Sequence, residues 1–95
     1  MAVYMVFTRE KTRDAAELAT YSEKAGASLA GHPAKLLAVY GPQEVLEGAA
    51  VEGLVIIEFP TAQAAKAWYD SPAYRDAQKH RFLGSDYRAV LVEGV

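Results

Sequence analysis

The stretch Leu54-Val55-Ile56-Ile57-Glu58-Phe59-Pro60-Thr61 decides how the rest of this chain must fold. Its first four residues are aliphatic without a break and rich in β-branching, the pattern of a strand covered on both faces rather than one. Pro60 ends the run, and Thr61 offers an N-cap for a helix over Ala62–Asp70. Three further runs of strand length stand at Ala2–Thr8, Lys35–Tyr40 and Tyr87–Glu93. Of these, Ala2–Phe7 and Leu36–Val39 are also apolar at every position.

Between the first two strands, Ala15, Leu18, Ser22, Ala25 and Leu29 recur three or four apart within Thr12–Gly31. That spacing puts small and apolar side chains on one helical face. Asp14 with Glu17 resembles a capping box, Thr12 being a rival cap, and Gly31 with Pro33 supplies the stop. The second helical region is split at Ser71-Pro72, a pair that caps and opens a further helix, Ala73–Leu83. Gly41–Gly48 reads as a turn, a short edge strand and another turn. The resulting order is two β-α-β halves, a ferredoxin-like βαββαβ arrangement in the α+β class. It makes one domain over residues 1–95, with an antiparallel sheet carrying its helices on one face. Helices on one face leave the other apolar face uncovered, so a second copy of the chain is the expected cover and a homodimer the expected partner state.

Composition narrows the chemistry. In 95 residues the formal charge is −2, which argues against a nucleic-acid partner; 52% hydrophobic and 23% charged residues mark a globular chain. There is no cysteine, hence no disulfide or thiolate chemistry, and no asparagine to glycosylate. No apolar run approaches the roughly 20 residues that span a bilayer, and the start lacks a signal-peptide pattern, so no membrane association and a cytoplasmic location are expected. His32 and His80 form no HxH or HExxH set, so neither a metal site nor a permanent cofactor is expected. The third strand lacks the basic and aromatic motif of an RNA-recognition module.

The segment Ile57-Glu58-Phe59-Pro60, followed by Trp68-Tyr69-Asp70-Ser71-Pro72-Ala73-Tyr74 and the terminal Val92-Glu93-Gly94, resembles the small bacterial proteins known as domain of unknown function 1330, of the dimeric α/β-barrel superfamily. The resemblance covers essentially the whole chain; Tyr21 and Leu46-Glu47-Gly48 fit it less distinctively. It implies ferredoxin-like domains whose sheets pair across a dimer to enclose a barrel, and it implies no activity, because the family is defined without one. The wider superfamily includes cofactor-free monooxygenases, lactone isomerases and polyketide-cyclising enzymes, an analogy of fold only. The chain departs from the family pattern at Tyr40-Gly41-Pro42, where an Arg-Gly-Gly-like stretch is usual, and at His32-Pro33, where a glycine pair is usual. Those loops bear on any pocket, so a relative's ligand transfers poorly.

Two groups stand as catalytic candidates. Glu58 is the only acid in an apolar strand, and alternation sets it with Leu54 and Ile56. Facing a barrel interior it is a partly desolvated carboxylate suited to proton transfer; the plainer reading pairs it with Arg81, Arg88 or a lysine. His80 suits proton shuttling near neutral pH, or a helix-stabilising pair with Asp76 four residues earlier. Arg81 fits a ligand carboxylate or the dipole at a helix C-terminus. Trp68 and Tyr69 form with Tyr74 either a core wedge or a pocket wall for a planar ligand. Tyr4 and Tyr40 lie in strands and add hydroxyls to a barrel cavity. Two functions follow: an enzyme or binder taking a small organic molecule in a mostly apolar pocket, with cofactor-free acid/base, monooxygenase or isomerase chemistry; or a non-catalytic interaction protein whose aromatics are core and whose open face is a dimer interface.

Overall fold

The computed structural model describes all 95 residues. Strand β1 (Val3–Thr12) leads into helix α1 (Ala15–Ser28), then β2 (Lys35–Val39), β3 (Gly53–Phe59), α2 (Ala62–Tyr69), α3 (Pro72–Gly84) and β4 (Ser85–Glu93). The four strands form one sheet in the order β2-β3-β1-β4, every neighbouring pair antiparallel. This is the ferredoxin-like α+β arrangement, with its second helix divided at Ser71-Pro72.

Local chemistry sets the helix starts. The Asp14 carboxylate accepts from the backbone N–H of Ala16 at 3.0 Å and of Glu17 at 3.3 Å, which settles its rivalry with Thr12. Glu17 does not close a capping box; its carboxylate turns to His80 on α3, 2.7 Å away. The Thr61 hydroxyl accepts from Ala64 N–H, and the Ser71 hydroxyl from Tyr74 N–H, with Pro72 opening α3. After α1, Gly31 takes φ +81°, which a side chain rarely adopts.

Two elements differ from the sequence reading. Strand β1 runs on to Thr12 because the polar residues Glu10 and Lys11 continue the ladder along β4 through a bulge between Arg9 and Lys11. The short edge strand expected within Gly41–Gly48 does not form. Pro42 has no N–H to donate and a fixed φ, so the chain leaves the edge of β2 as an irregular loop in which Leu46 stays 83% exposed.

Alternation divides the sheet. Val3, Met5 and Phe7 of β1 and Ile57 and Phe59 of β3 are buried under the helices with Trp68, Tyr74 and Ala77. The other face carries Tyr4, Val6 and Thr8, then Leu54, Ile56 and Glu58, and no helix covers it. Val6 stands opposite both Ile56 and Val90, and Ile56 opposite Ala38, so one apolar rung crosses all four strands.

Helices α1 and α3 meet backbone to backbone at one end. The Gly84 carbonyl accepts from Arg13 N–H at 2.7 Å and Asp14 N–H at 3.0 Å. A Cβ on Gly84 lies 2.9 Å from the Asp14 carbonyl oxygen and 3.2 Å from Leu18 N, atoms that cannot swing away. Gly84→Ala is therefore expected to destabilise the fold by about 1–2 kcal/mol despite the better helix propensity of alanine, as measured by urea unfolding.

Candidate ligand pocket

Helix α1 crosses above β2 and β3 with Ser22, Ala25 and Gly26 turned toward the sheet. These positions do not fill the space above Leu36, Val39, Val55 and Ile57, and a cavity of about 200 Å³ remains, open to solvent on the side where Leu36 and Val39 are each 52% exposed. Phe7 and Trp68 close its floor, and ten of its twelve lining residues are hydrophobic. The Trp68 indole N–H is already engaged, donating to the Ser28 hydroxyl at 3.0 Å. A second depression, about 240 Å³ beside Met5, Lys66, Tyr69, Ala89 and Leu91, is a five-residue surface groove with no buried polar group in its walls, and the cavity under α1 is the better candidate.

Polarity enters the first cavity through tyrosine hydroxyls. Tyr21 lines it and hydrogen-bonds Tyr74 at 3.0 Å between hydroxyl oxygens. Tyr40 lines it and hydrogen-bonds the Tyr87 hydroxyl. Burial pushes Tyr21 far above the ordinary phenol range, reinforced by Tyr74. Tyr40 is pushed up by burial and then by its bond to Tyr87. Tyr74 is raised by burial against the opposing pull of Arg81. All three therefore stay protonated and available as hydrogen-bond donors.

Tyr40 is held at a cost. Its φ of +50° is the one left-handed conformation among the non-glycine residues, and it turns the ring back over the sheet. There Arg9 stacks 4.8 Å from the ring centroid. A Cβ on Gly53 would stand 2.6 Å from the Tyr40 ring, so the glycine is what admits the ring. The departure at Tyr40-Gly41-Pro42 thus falls on a pocket wall.

The residues singled out in the sequence do not converge. Tyr40 and Trp68 line the cavity. Arg81 lies behind it, 3% exposed, its guanidinium carbon 5.9 Å from the Tyr21 ring centroid, 5.3 Å from Tyr87 and 5.6 Å from Phe7. Glu58 and Tyr4 are cross-strand neighbours on the uncovered face, with Lys35 on the other side of Glu58. The sheet separates Glu58 from Arg81, so the pairing expected between them does not occur; nor does Glu58 make an ion pair with Arg88 or a lysine. Tyr4 and Tyr40 lie on opposite sides and cannot serve one cavity. His80 sits on the α1–α3 seam against Glu17, while Asp76 pairs with Lys24 and Lys79 instead. Those two cations hold the Asp76 carboxyl down to about 2. Tyr69 borders the surface groove, accepts from Gln78 Nε2 at 2.8 Å and lies under Arg75.

Sequence reasoning missed the α1 wall and the partner Tyr87 as part of this site; Tyr74 was weighed as a core wedge or a pocket wall, and its hydroxyl bond to Tyr21 was not foreseen. The signal was present in the run of small residues on the apolar face of α1, which leaves room wherever the opposing strand is also short of bulk. The lining contains no Asp, Glu, His or Lys; its polar groups are hydroxyls. No group of three His, Asp or Glu side chains comes together as a metal set.

Over residues 2–95 the sequence matches the family described as domain of unknown function (DUF1330). The chain belongs to this family. Among solved structures, RPA0582 of Rhodopseudomonas palustris, a protein of unknown function, is similar at 21% identity and TM-score 0.79, over 99% of this chain and 82% of that one. A dimeric ferredoxin-like protein of unknown function from Bacteroides fragilis NCTC 9343 is similar at 16% identity and TM-score 0.71, covering 98% and 96%. SnoaB of Streptomyces nogalater, a cofactor-independent oxygenase, is similar at 13% identity and TM-score 0.61, covering 98% and 91%. No curated protein matches the sequence. These likenesses establish the ferredoxin-like fold of this DUF1330 protein.

Burying a guanidinium with no carboxylate partner is unfavourable, and here cation–π contacts and the neighbouring Tyr74 hydroxyl offset part of that cost. Arg81→Met is therefore expected to unfold in urea within about 1 kcal/mol of the parent, or to be more stable. A loss of about 3 kcal/mol or more would make Arg81 a structural keystone instead.

Proposed function

We propose that this DUF1330 protein is a homodimer that binds a small, ring-bearing organic molecule in the cavity between α1 and strands β2 and β3. The observation that carries this reading is the cavity itself: about 200 Å³, apolar, with tyrosine hydroxyls as its polar handles. Engineered cavities of about 150 Å³ lined by apolar side chains accept benzene, so a one-ring ligand with a substituent suits this volume. The absence of a carboxylate or imidazole from the lining favours binding and orientation over acid/base catalysis. The chemistry of SnoaB is a property of that protein, and the shared fold alone lends it little support here.

The homodimer part rests on the uncovered face. Val90 and Val92 are about half exposed there, at 49% and 48%, beside the apolar rung through Val6 and Ile56. A second copy laid face to face covers this rung in both chains at once, as a two-fold pairing does. The dimeric ferredoxin-like protein of Bacteroides fragilis is consistent with such an assembly. On this reading Glu58 and Tyr4 belong to the interface and its rim, and the candidate catalytic role of Glu58 gives way to positioning of the partner.

Light scattering at low micromolar concentration is expected to give twice the chain mass, and Val6→Asp to give a monomer, because a charge in the middle of the rung is desolvated on pairing. A stable monomer of the parent protein overturns the dimer. For the pocket, amide NMR titration with toluene is expected to give saturable shifts at Ala25, Gly26 and Tyr40. Gly26→Leu should abolish them while raising stability by up to about 1 kcal/mol, since leucine is the better helix former. A Cβ at Gly26 meets nothing within 4 Å, so a side chain there starts into open space, and unchanged or raised stability in urea is what separates filling of the pocket from a misfolded variant.

A further inference from the structure

Arg81 carries a charge that nothing in the chain balances. It is 3% exposed, and none of the ion pairs of the molecule includes it. Its Nε is buried without a hydrogen-bond partner. A guanidinium keeps its proton in proteins, and a buried charge is disfavoured unless an anion or a full set of acceptors meets it. The rings of Phe7, Tyr21, Phe82 and Tyr87, 5.0–5.9 Å away, offset only part of that cost. The surrounding tyrosines do not supply the missing negative charge, because burial keeps Tyr21 and Tyr74 neutral.

Two hydroxyl pairs lead from this cation to the cavity. Arg81 stands beside Tyr74, which bonds Tyr21, which lines the cavity. It also stands beside Tyr87, which bonds Tyr40, which lines the cavity as well. Within a pair of neutral hydroxyls one O–H is spent on the partner and the other remains for an outside acceptor, and either hydroxyl of each pair can be the donor. With Tyr74 donating to Tyr21 and Tyr87 to Tyr40, the O–H groups of Tyr21 and Tyr40 are left for an acceptor in the cavity, backed by one positive charge. The rest of its wall is hydrocarbon and aromatic.

We propose that the cavity takes the anion of a small ring-bearing acid, a benzoate-like carboxylate. Its ring lies among Leu29, Val55, Ile57 and Trp68, its oxygens accept from the Tyr21 and Tyr40 hydroxyls, and Arg81 balances its charge from behind. This assignment rests on the pocket reading above and specifies the ligand class for it. It also gives the strained backbone of Tyr40 a purpose, since φ +50° is what brings that hydroxyl to the cavity.

The test is amide NMR titration of the intact protein at pH 7 with sodium benzoate, with benzamide as a neutral probe of the same shape, and with toluene as an apolar probe. Benzoate is expected to bind at least about tenfold more tightly than benzamide, the increment of a charge-assisted contact. Tyr40→Phe should weaken benzoate about fivefold or more and leave benzamide within about twofold, a loss of one charged hydrogen bond. Arg81→Met should erase the preference for benzoate while toluene still binds, which also reports that the variant is folded. Benzamide binding as tightly as benzoate, or Tyr40→Phe weakening both alike, overturns the anion assignment. Toluene binding with benzoate excluded overturns it and leaves the apolar pocket standing. No binding by any of the three overturns both.

Discussion

Phe7, Ile57 and Phe59 packed against Trp68, Tyr74 and Ala77 make the contact on which the rest of the molecule depends. Phe59 stacks on Trp68 at 5.7 Å between ring centroids, and Tyr74 closes on the same indole at 4.3 Å. These rings anchor the helix layer to one face of the sheet and so commit every strand residue to one of two environments. Period-two alternation then leaves no freedom: once Phe7 is under the helices, Val6 and Thr8 are on the other side. The two faces have separate fates, one enclosing a cavity and the other open to a partner.

The cavity is a consequence of how α1 meets that layer. The helix is fixed at its start by the Gly84 carbonyl and along its length by Lys24 to Asp76 and Glu17 to His80, all contacts to α3. It is therefore held by its neighbouring helix, while Ser22, Ala25 and Gly26 span the distance to β2 and β3 without filling it. Tyr21 points from α1 into the aromatic layer, and Tyr40 reaches the cavity from the end of β2. A buried cation behind two neutral hydroxyl pairs gives this gap a polarity that hydrocarbon packing would not produce.

Much of the fold was legible before any coordinates. Unbroken apolar runs at Leu54–Ile57 and Ala2–Phe7 announce strands apolar on both faces, and Asp14, Thr61 and Ser71-Pro72 announce helix starts through the geometry of capping. The irregular loop after β2 was harder to read, because Val45 and Leu46 look like strand residues and only the missing N–H of Pro42 says that no edge pairing follows. The site was legible in its pieces. Tyr40, Trp68 and Arg81 were singled out for their side chains, yet their relation to one another, and the roles of Tyr21, Tyr74 and Tyr87, depend on contacts between residues about 50 positions apart.

The sequence by itself determined the four strands of the sheet, the caps at Asp14, Thr61 and Ser71, and the two-faced apolarity of the sheet, because each of these follows from period, local hydrogen bonding and side-chain volume within a few residues. Only the tertiary structure decided which side of the sheet each chemical group serves. Glu58 and Arg81, plausible partners when read along the chain, are divided by a layer of backbone, while Tyr40 and Tyr87, far apart in sequence, share a hydrogen bond. The physical reason is that alternation fixes relative sides within a strand, whereas the absolute side is chosen by where the helices pack.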